Sequence, residues 1–216
     1  MQMTEFEMND EYDMHHELEE RVISLFHQSV EAKMHAGEAL APFIADASQL
    51  IVQALLSENK ILVAGNGASS AIAQILVNCL VDHFERERPG FAAYGLNTSP
   101  TTNTGFNSPD NFDELFSRQI WAMGSPGDVL VLYTTNNDVP NLVKAAESAH
   151  ERDMHVLVFS GGDDGALQSI LDMHDLEVRA PLDAESRIHE VHLLSTYCLC
   201  DLIDNQLFGP LEEEEY

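Results

Sequence analysis

Five short apolar runs, "KILVAG", "FAAYGL", "GDVLVLYT", "HVLVFSGG" and "LEVRAP", alternate with helical segments from Lys60 onward. Runs this short and this apolar bury both of their faces. A parallel sheet covered by helices on both sides does that, because each crossover lays a helix over the sheet. The alternation therefore predicts an α/β fold of three layers. The connecting helices are "ASSAIAQILVNCLVDHFE", "FDELFSRQIWAMG", "VPNLVKAAESAHERD" and the short "GALQSILD". A long terminal helix runs from about Asp183 to Phe208 and is stopped by Gly209-Pro210. Its apolar residues lie on more than one side, with Ile188, Val191, Leu194, Cys198 and Leu202 on one stripe and Leu193, Tyr197 and Cys200 on another. Such a helix is expected to be buried twice, on its own sheet and on a neighbouring subunit. "NTSPTTNTGFNSPDN" reads as a polar loop with turn chemistry.

Residues ahead of the first strand are helical in pattern. Val22, Phe26 and Val30 recur at spacing four, and Ala41, Ile44, Leu50 and Leu55 continue in a second segment. Gly37 marks the junction, and Pro42 suits the first turn of the second helix. Two helices in that position predict an N-terminal helical arm of the kind that serves oligomerisation. Residues 1–16 are expected to be an acidic disordered extension, 17–210 a single domain including the arm, and 211–216 an acidic tail.

The chain carries 10 Lys and Arg against 37 Asp and Glu, a net charge of −27. Such a surface repels phosphate backbones and argues against direct nucleic-acid binding. It suits either a basic protein partner or simply a well-solvated exterior. No run of about 18 apolar residues is present, so no membrane span is expected. The N-terminus has neither the basic nor the apolar region of a signal peptide. Three cysteines, Cys79, Cys198 and Cys200, make no disulfide framework, and they point to a reducing cytoplasm.

Three stretches could carry chemistry. "GNGASS" (Gly65 to Ser70) follows a strand and opens a helix. Its glycines allow close backbone approach, Ser69 and Ser70 supply hydroxyls, and a helix N-terminus favours an anion. It lacks the Gly-Lys-Ser/Thr ending of a P-loop and the third glycine of a dinucleotide fingerprint. A plain tight turn with an N-capping serine fits the same residues. "YTTNNDVPN" is a second strand-to-helix loop, in which Thr134 and Thr135 offer hydroxyls while Asp138 would repel a phosphate beside it. A capped helix start is the alternative. "RIHEVH" sets His189 and His192 three residues apart on one helix face, with Glu190 between them. Cys198 and Cys200 point to different sides of that helix, so interface or core packing fits better than a metal centre. Glu190 would serve as a general base if it faced a ligand pocket.

The helical arm, "GNGASS", "GDVL…TTNN…VKA", "RIHEVH" and the closing helix together resemble sugar isomerase (SIS) domains over residues 20–209. The resemblance implies a flavodoxin-like three-layer fold, a parallel sheet flanked by helices, with an N-terminal helical arm. Two groups within that family compete. One is the phosphoheptose isomerases. The other is the DiaA-type proteins, tetrameric binding proteins of the replication initiator DnaA. "YCLCDLIDNQLF", "FERERP" and "GLNTSP" resemble the DiaA type more closely.

The isomerase resemblance assigns a metal-binding histidine to Ile75, a catalytic glutamate to Cys79, and a glutamine and a histidine to His189 and Tyr197. It also aligns Ser-Thr-Ser-Gly-Asn-Ser with Thr134 to Val139, and matches Ser69 to the first-loop serine. The resemblance thus implies that catalysis is lost and that no metal or other cofactor is held. A phosphosugar would still be cradled by Asn66, Gly67, Ser69, Ser70, Thr134, Thr135 and Glu190. The DiaA-type resemblance implies a non-catalytic homotetramer that binds DnaA through Leu207 and Phe208 and promotes its assembly at the chromosomal origin. Turnover or sensing of a sugar phosphate such as sedoheptulose 7-phosphate is the alternative.

Overall fold

The computed structural model describes residues 5–96 and 109–210. Most of the expected polar loop, residues 97–108, and the tail 211–216 lie outside them. Strands β1 (Ile61–Gly65), β2 (Ala93–Gly95), β3 (Val129–Tyr133), β4 (His155–Gly161) and β5 (Leu176–Ala180) form a single sheet in the order β2-β1-β3-β4-β5. All four pairings are parallel. The five expected strands are therefore present, with "FAAYGL" shrunk to a three-residue edge strand. Short edges leave few backbone groups unpaired.

Helices α1 (Glu5–Leu56), α2 (Ala68–Val81), α3 (Pro109–Phe112), α4 (Ser117–Met123), α5 (Pro140–Glu151), α6 (Ala166–Ile170) and α7 (Glu185–Phe208) supply the outer layers. Alternate strand residues face opposite layers. Ile61, Val63, Val131 and Phe159 pack with residues of α1, α2 and α7, such as Ile51, Leu76 and Leu199. Leu62, Ala64, Leu132 and Val158 pack with residues of α4 and α5, such as Ile120 and Ala145. This is the three-layer α/β architecture the strand pattern predicts.

The arm differs from the expectation. α1 is one continuous helix of 52 residues that passes through both Gly37 and Pro42. Pro42 removes one backbone donor, but Leu40, Ile44, Ala47 and Ile51 are buried around it. Tertiary burial outweighs the roughly 3 kcal/mol penalty of an interior proline. The helix also starts at Glu5, within the stretch expected to be disordered. Glu and Met, good helix formers, recur there, and His15–Glu19 and His16–Glu20 pair at i,i+4. By length and composition α1 could cross a bilayer. Its C-terminal half is spent instead on α7 and the sheet, as in the core helix of a globular fold. Its N-terminal half leaves Leu18, Val22, Phe26 and Val30 as an exposed apolar stripe, with Phe26 at 70% exposure.

Two buried polar arrangements fix α7. Arg88 lies against α7 with its Nε donating to Asp204 Oδ1 at 2.7 Å. Its other nitrogens donate to the carbonyls of Cys79 and Leu80 at the end of α2, and its guanidinium covers the Phe91 ring at 4.0 Å. One arginine thus closes the C-terminus of α2 and neutralises a buried carboxylate. Nearer the other end, His192 Nε2 sits 2.9 Å from the Ser160 carbonyl, and the ring meets Tyr133 and Phe159 edge-on. Burial holds the His192 pKa down at about 4; the bond to Ser160 opposes this and nearby His189 adds to it.

Arg88→Ala is expected to cost about 3–5 kcal/mol in urea unfolding, because it strands the Asp204 carboxylate. Arg88→Met combined with Asp204→Leu should cost clearly less; equal losses would contradict a charge-based role. His192 generates a pH dependence. Between its ordinary value of 6.5 and about 4, the unfolded chain binds a proton that the native chain refuses. Its contribution to stability is complete above pH 6.5 and is lost as pH falls toward 4, by up to about 3 kcal/mol. His192→Gln keeps a donor for Ser160, and relative to it the wild type should lose stability across that window. Parallel pH curves for the two proteins would contradict the assignment.

Candidate functional site

The sheet turns one way from β1 to β2 and the other way from β1 to β3. In open α/β sheets ligands sit in the crevice beyond the carboxyl ends of the strands at such a switch point. Here the β1–α2 turn and the β3–α5 loop border it. A Cβ on Gly65 would stand 2.9 Å from the Ser69 backbone and 3.0 Å from the Tyr133 carbonyl, so the turn closes tightly against β3. Gly67 has a φ of +53 and caps α2. The Ser70 hydroxyl donates to the Gly67 carbonyl at 2.7 Å. Asn66 and Asn141 exchange amide hydrogen bonds of 2.9 and 3.1 Å, tying the β1–α2 turn to the first turn of α5. Two helix N-termini therefore flank one crevice, and neither has an acid in its first turn. That is a favourable field for an anion.

The β3–α5 loop is organised largely around itself. Thr134 is buried, and its hydroxyl donates to the Asn136 carbonyl while accepting from the Asn136 amide at 3.1 Å. Thr135 Oγ1 donates to Glu185 Oε1 at 3.4 Å, at the start of α7. Asn137 donates to the carbonyls of Gly161 and Asp163, and its own Oδ1 is buried with no partner among the described residues. Asp138 accepts from the Ala166 amide at 2.8 Å. Its carboxylate is thus turned to the N-terminus of α6, which fixes where its charge sits.

α7 divides its polar residues. His189 Nε2 stands 3.2 Å from Ser69 Oγ, joining α7 to the buried serine of the Gly-rich turn. His192 is engaged separately, on the Ser160 carbonyl, so the two histidines have different partners. Glu190 is turned to the arm: it accepts from Ser29, from Arg187 Nη1 at 2.8 and 2.9 Å, and lies 3.4 Å from Lys33 Nζ. Burial raises its pKa, but the bonds from Ser29 and Lys33 and the charges of Lys33 and Arg187 outweigh this and lower it. It is a fixed anion joining two helices, away from the crevice where a base would act.

The structure thus gathers Asn66, Gly67, Ser69, Ser70, Thr134 and Thr135 around the crevice and leaves Glu190 outside. Sequence reading missed Asn141, Glu185 and Asn137. Each lies just beyond a strand or in the first turns of a helix, and that position was the available signal.

The positions that the isomerase resemblance assigns to metal and acid–base groups hold a different set. Ile75 is packed against the core and has no donor atom. The Cys79 thiol is free and hydrogen-bonded to the Cys200 thiol, which lowers its pKa against the opposing effect of burial. Tyr197 stacks on Phe84 at 5.9 Å. Only His189 offers a ligand atom near the crevice, so this set does not fit a metal ion.

At the far end of α7, Phe208 is half exposed and stacks on Phe91 at 6.2 Å, while Leu207 packs partly into the core. Both belong to the wall that α7, the end of α1 and the approach to β2 share.

Comparisons with known proteins place these observations. The SIS domain family model matches residues 25–161. The phosphoheptose isomerase of Chromohalobacter salexigens is 45% identical over 196 residues, covering 91% of this chain and the whole of that one. The structure of a phosphoheptose isomerase from Francisella tularensis superposes with a TM-score of 0.82 at 39% identity, over 86% of this chain and 97% of that one. Phosphoheptose isomerase GmhA from Neisseria gonorrhoeae gives 0.81 at 36% identity, over 87% and 99%. These matches overturn the expectation of a non-catalytic adaptor for DnaA: relatives this similar over nearly the whole chain are named as isomerases, that is, as enzymes. The assignment of Leu207 and Phe208 as a DnaA contact falls with it. It rested on matched residues at the end of one helix, whereas the similarity to isomerases runs through the fold. The chain belongs to the SIS-domain family, among the phosphoheptose isomerases.

Proposed function

We propose that this protein is a phosphosugar isomerase that interconverts the aldose and ketose forms of a sugar phosphate of the sedoheptulose 7-phosphate class. The observation that carries the reading is the contact between Ser69 and His189. It sets an imidazole from α7 over the Gly-rich turn at the N-terminus of α2. In this reading the phosphate is held by the backbone amides and hydroxyls of residues 66–70, with Thr135 on the facing loop. The positive ends of α2 and α5 supply the charge that lysine or arginine would supply elsewhere.

Aldose–ketose interconversion moves a proton between adjacent carbons, and one group that takes and returns it suffices. His189 is the ionisable ring in the crevice, and its bond to Ser69 orients it. Glu185, bonded to Thr135, is the nearest carboxylate on that rim and suits proton transfer between the sugar oxygens. The named relatives support a sugar phosphate as the partner molecule. Three free cysteines suit a reducing cytoplasm. The apolar stripe on α1 supports self-association, and the homotetramer expected from sequence remains part of the proposal.

Purified protein should convert sedoheptulose 7-phosphate in a coupled assay. His189→Ala should lower kcat at least about 100-fold, the usual contribution of a positioned acid–base group. Ser69→Ala should raise KM and also lower kcat, by less than His189→Ala does, because it removes both a phosphate contact and the bond that orients His189. Absence of turnover by the wild type, or full turnover by His189→Ala, would contradict the proposal.

A further inference from the structure

The end of the sheet opposite the crevice holds a group of side chains that the proposed reaction does not use. Seven residues border one surface pocket there, and all but Met154 are histidines or aspartates: His150, Asp153, His155, Asp172, His174 and Asp175. They come from three places: the last turn of α5 and the residues just after it, the start of β4, and the turn leading into β5. Donor atoms of His150, Asp172 and Asp175 all lie within 4.8 Å of one another.

We propose that His150, Asp172 and Asp175 form a binding site for a divalent transition metal, with His155 and His174 beside them as further donors. Asp175 is the anchor. Its side chain is 2% exposed, and its carboxylate is aimed by backbone amides, Val156 N onto Oδ1 at 3.1 Å and Asp172 N onto Oδ2 at 2.8 Å. His150 Nε2 faces that same Oδ2 at 2.8 Å. Asp172 accepts the His174 amide on Oδ1 at 2.7 Å, which holds its turn and leaves Oδ2 available.

Bonds of about 2.0–2.2 Å at tetrahedral angles put neighbouring zinc ligands about 3.3–3.5 Å apart. An ion therefore enters by opening the His150–Asp175 contact by roughly half an ångström, a movement a side chain on a helix end can make. The Nε2 proton that now faces the Asp175 carboxylate moves to Nδ1 by exchange with solvent, and Nε2 of the Nδ1–H tautomer then binds the ion. Carboxylates alone would favour hard cations. Imidazole nitrogen shifts the preference to zinc, cobalt or nickel. A bound ion would join the end of α5 to the entrances of β4 and β5, a staple remote from the sugar crevice.

The test uses the full-length chain, stripped with a chelator and dialysed, titrated with zinc chloride by calorimetry and with cobalt chloride by visible absorption. His150→Gln keeps a donor for Asp175, and Asp172→Asn keeps the turn acceptor, so both should fold and melt as the wild type does without metal. The wild type should bind one zinc per chain tightly, show the absorption of four-coordinate cobalt, and melt higher with zinc. Each variant should bind zinc at least tenfold more weakly and lose the cobalt band. Zinc affinity within twofold of wild type in both variants, or weak multi-site binding alone, would mean scattered surface carboxylates or a simple His150–Asp175 pair, and would overturn the proposal.

Discussion

α7 lies hard against the carboxyl ends of β3 and β4, and the site depends on that contact. Gly161 ends β4 without a side chain, and a Cβ there would meet Ile188 at under 3 Å. The Tyr133 hydroxyl bonds Thr196 at 2.8 Å, and Thr196 in turn donates to the His192 carbonyl. His192 reaches the Ser160 carbonyl from the same face. These contacts set the rotation and height of the helix. Residue 189, three positions before His192, then falls beside Ser69. A half-turn of rotation would carry the imidazole away from the Gly-rich turn. Interior packing, rather than any feature of the loop, brings acid–base chemistry to the anion cradle.

The second constraint is electrostatic. A chain of net charge −27 has to receive an anion. The structure does this locally. No acid occupies the first turn of α2 or α5. Glu185 stays on the rim, bonded to Thr135, while Asp138 accepts from the first amide of α6 and Glu190 is turned away to Ser29, Lys33 and Arg187. Over a few ångströms the fixed dipoles at two helix ends outweigh distant surface charge, which salt screens within about 10 Å. The acidity therefore bears on solubility and on repulsion of nucleic acid, and leaves the cradle usable.

The layered fold was legible because strand burial writes itself into sequence. β1 and β3 are buried on both faces and read as unbroken apolar runs. The cradle was legible too, since Gly65, Gly67 and Ser69 are local to one turn. Continuity of α1 was not, because Gly37 and Pro42 are break signals that tertiary burial overrides. The misreading of Glu190 has the same origin. Spacing sets it on the face next to His189, but only the packing of α1 on α7 shows that Ser29 and Lys33 take its carboxylate. The site partners Asn141 and Glu185 come from segments 75 and 50 residues from the groups they touch. Nothing local in the sequence links them.

Function was misread for a related reason. Substitution at four positions, Ile75, Cys79, His189 and Tyr197, reads as loss of catalysis, and a Leu-Phe pair as a binding surface. Whole-chain similarity to phosphoheptose isomerases outweighs both, and it shifts the question to which group in this crevice moves the proton. That has a direct readout. With the protein and sedoheptulose 7-phosphate in D2O, proton NMR follows deuterium entering the carbon next to the carbonyl. The account predicts protein-dependent exchange at that carbon, lost in His189→Ala. No exchange above the buffer rate with the wild type, or equal exchange with His189→Ala, would contradict it.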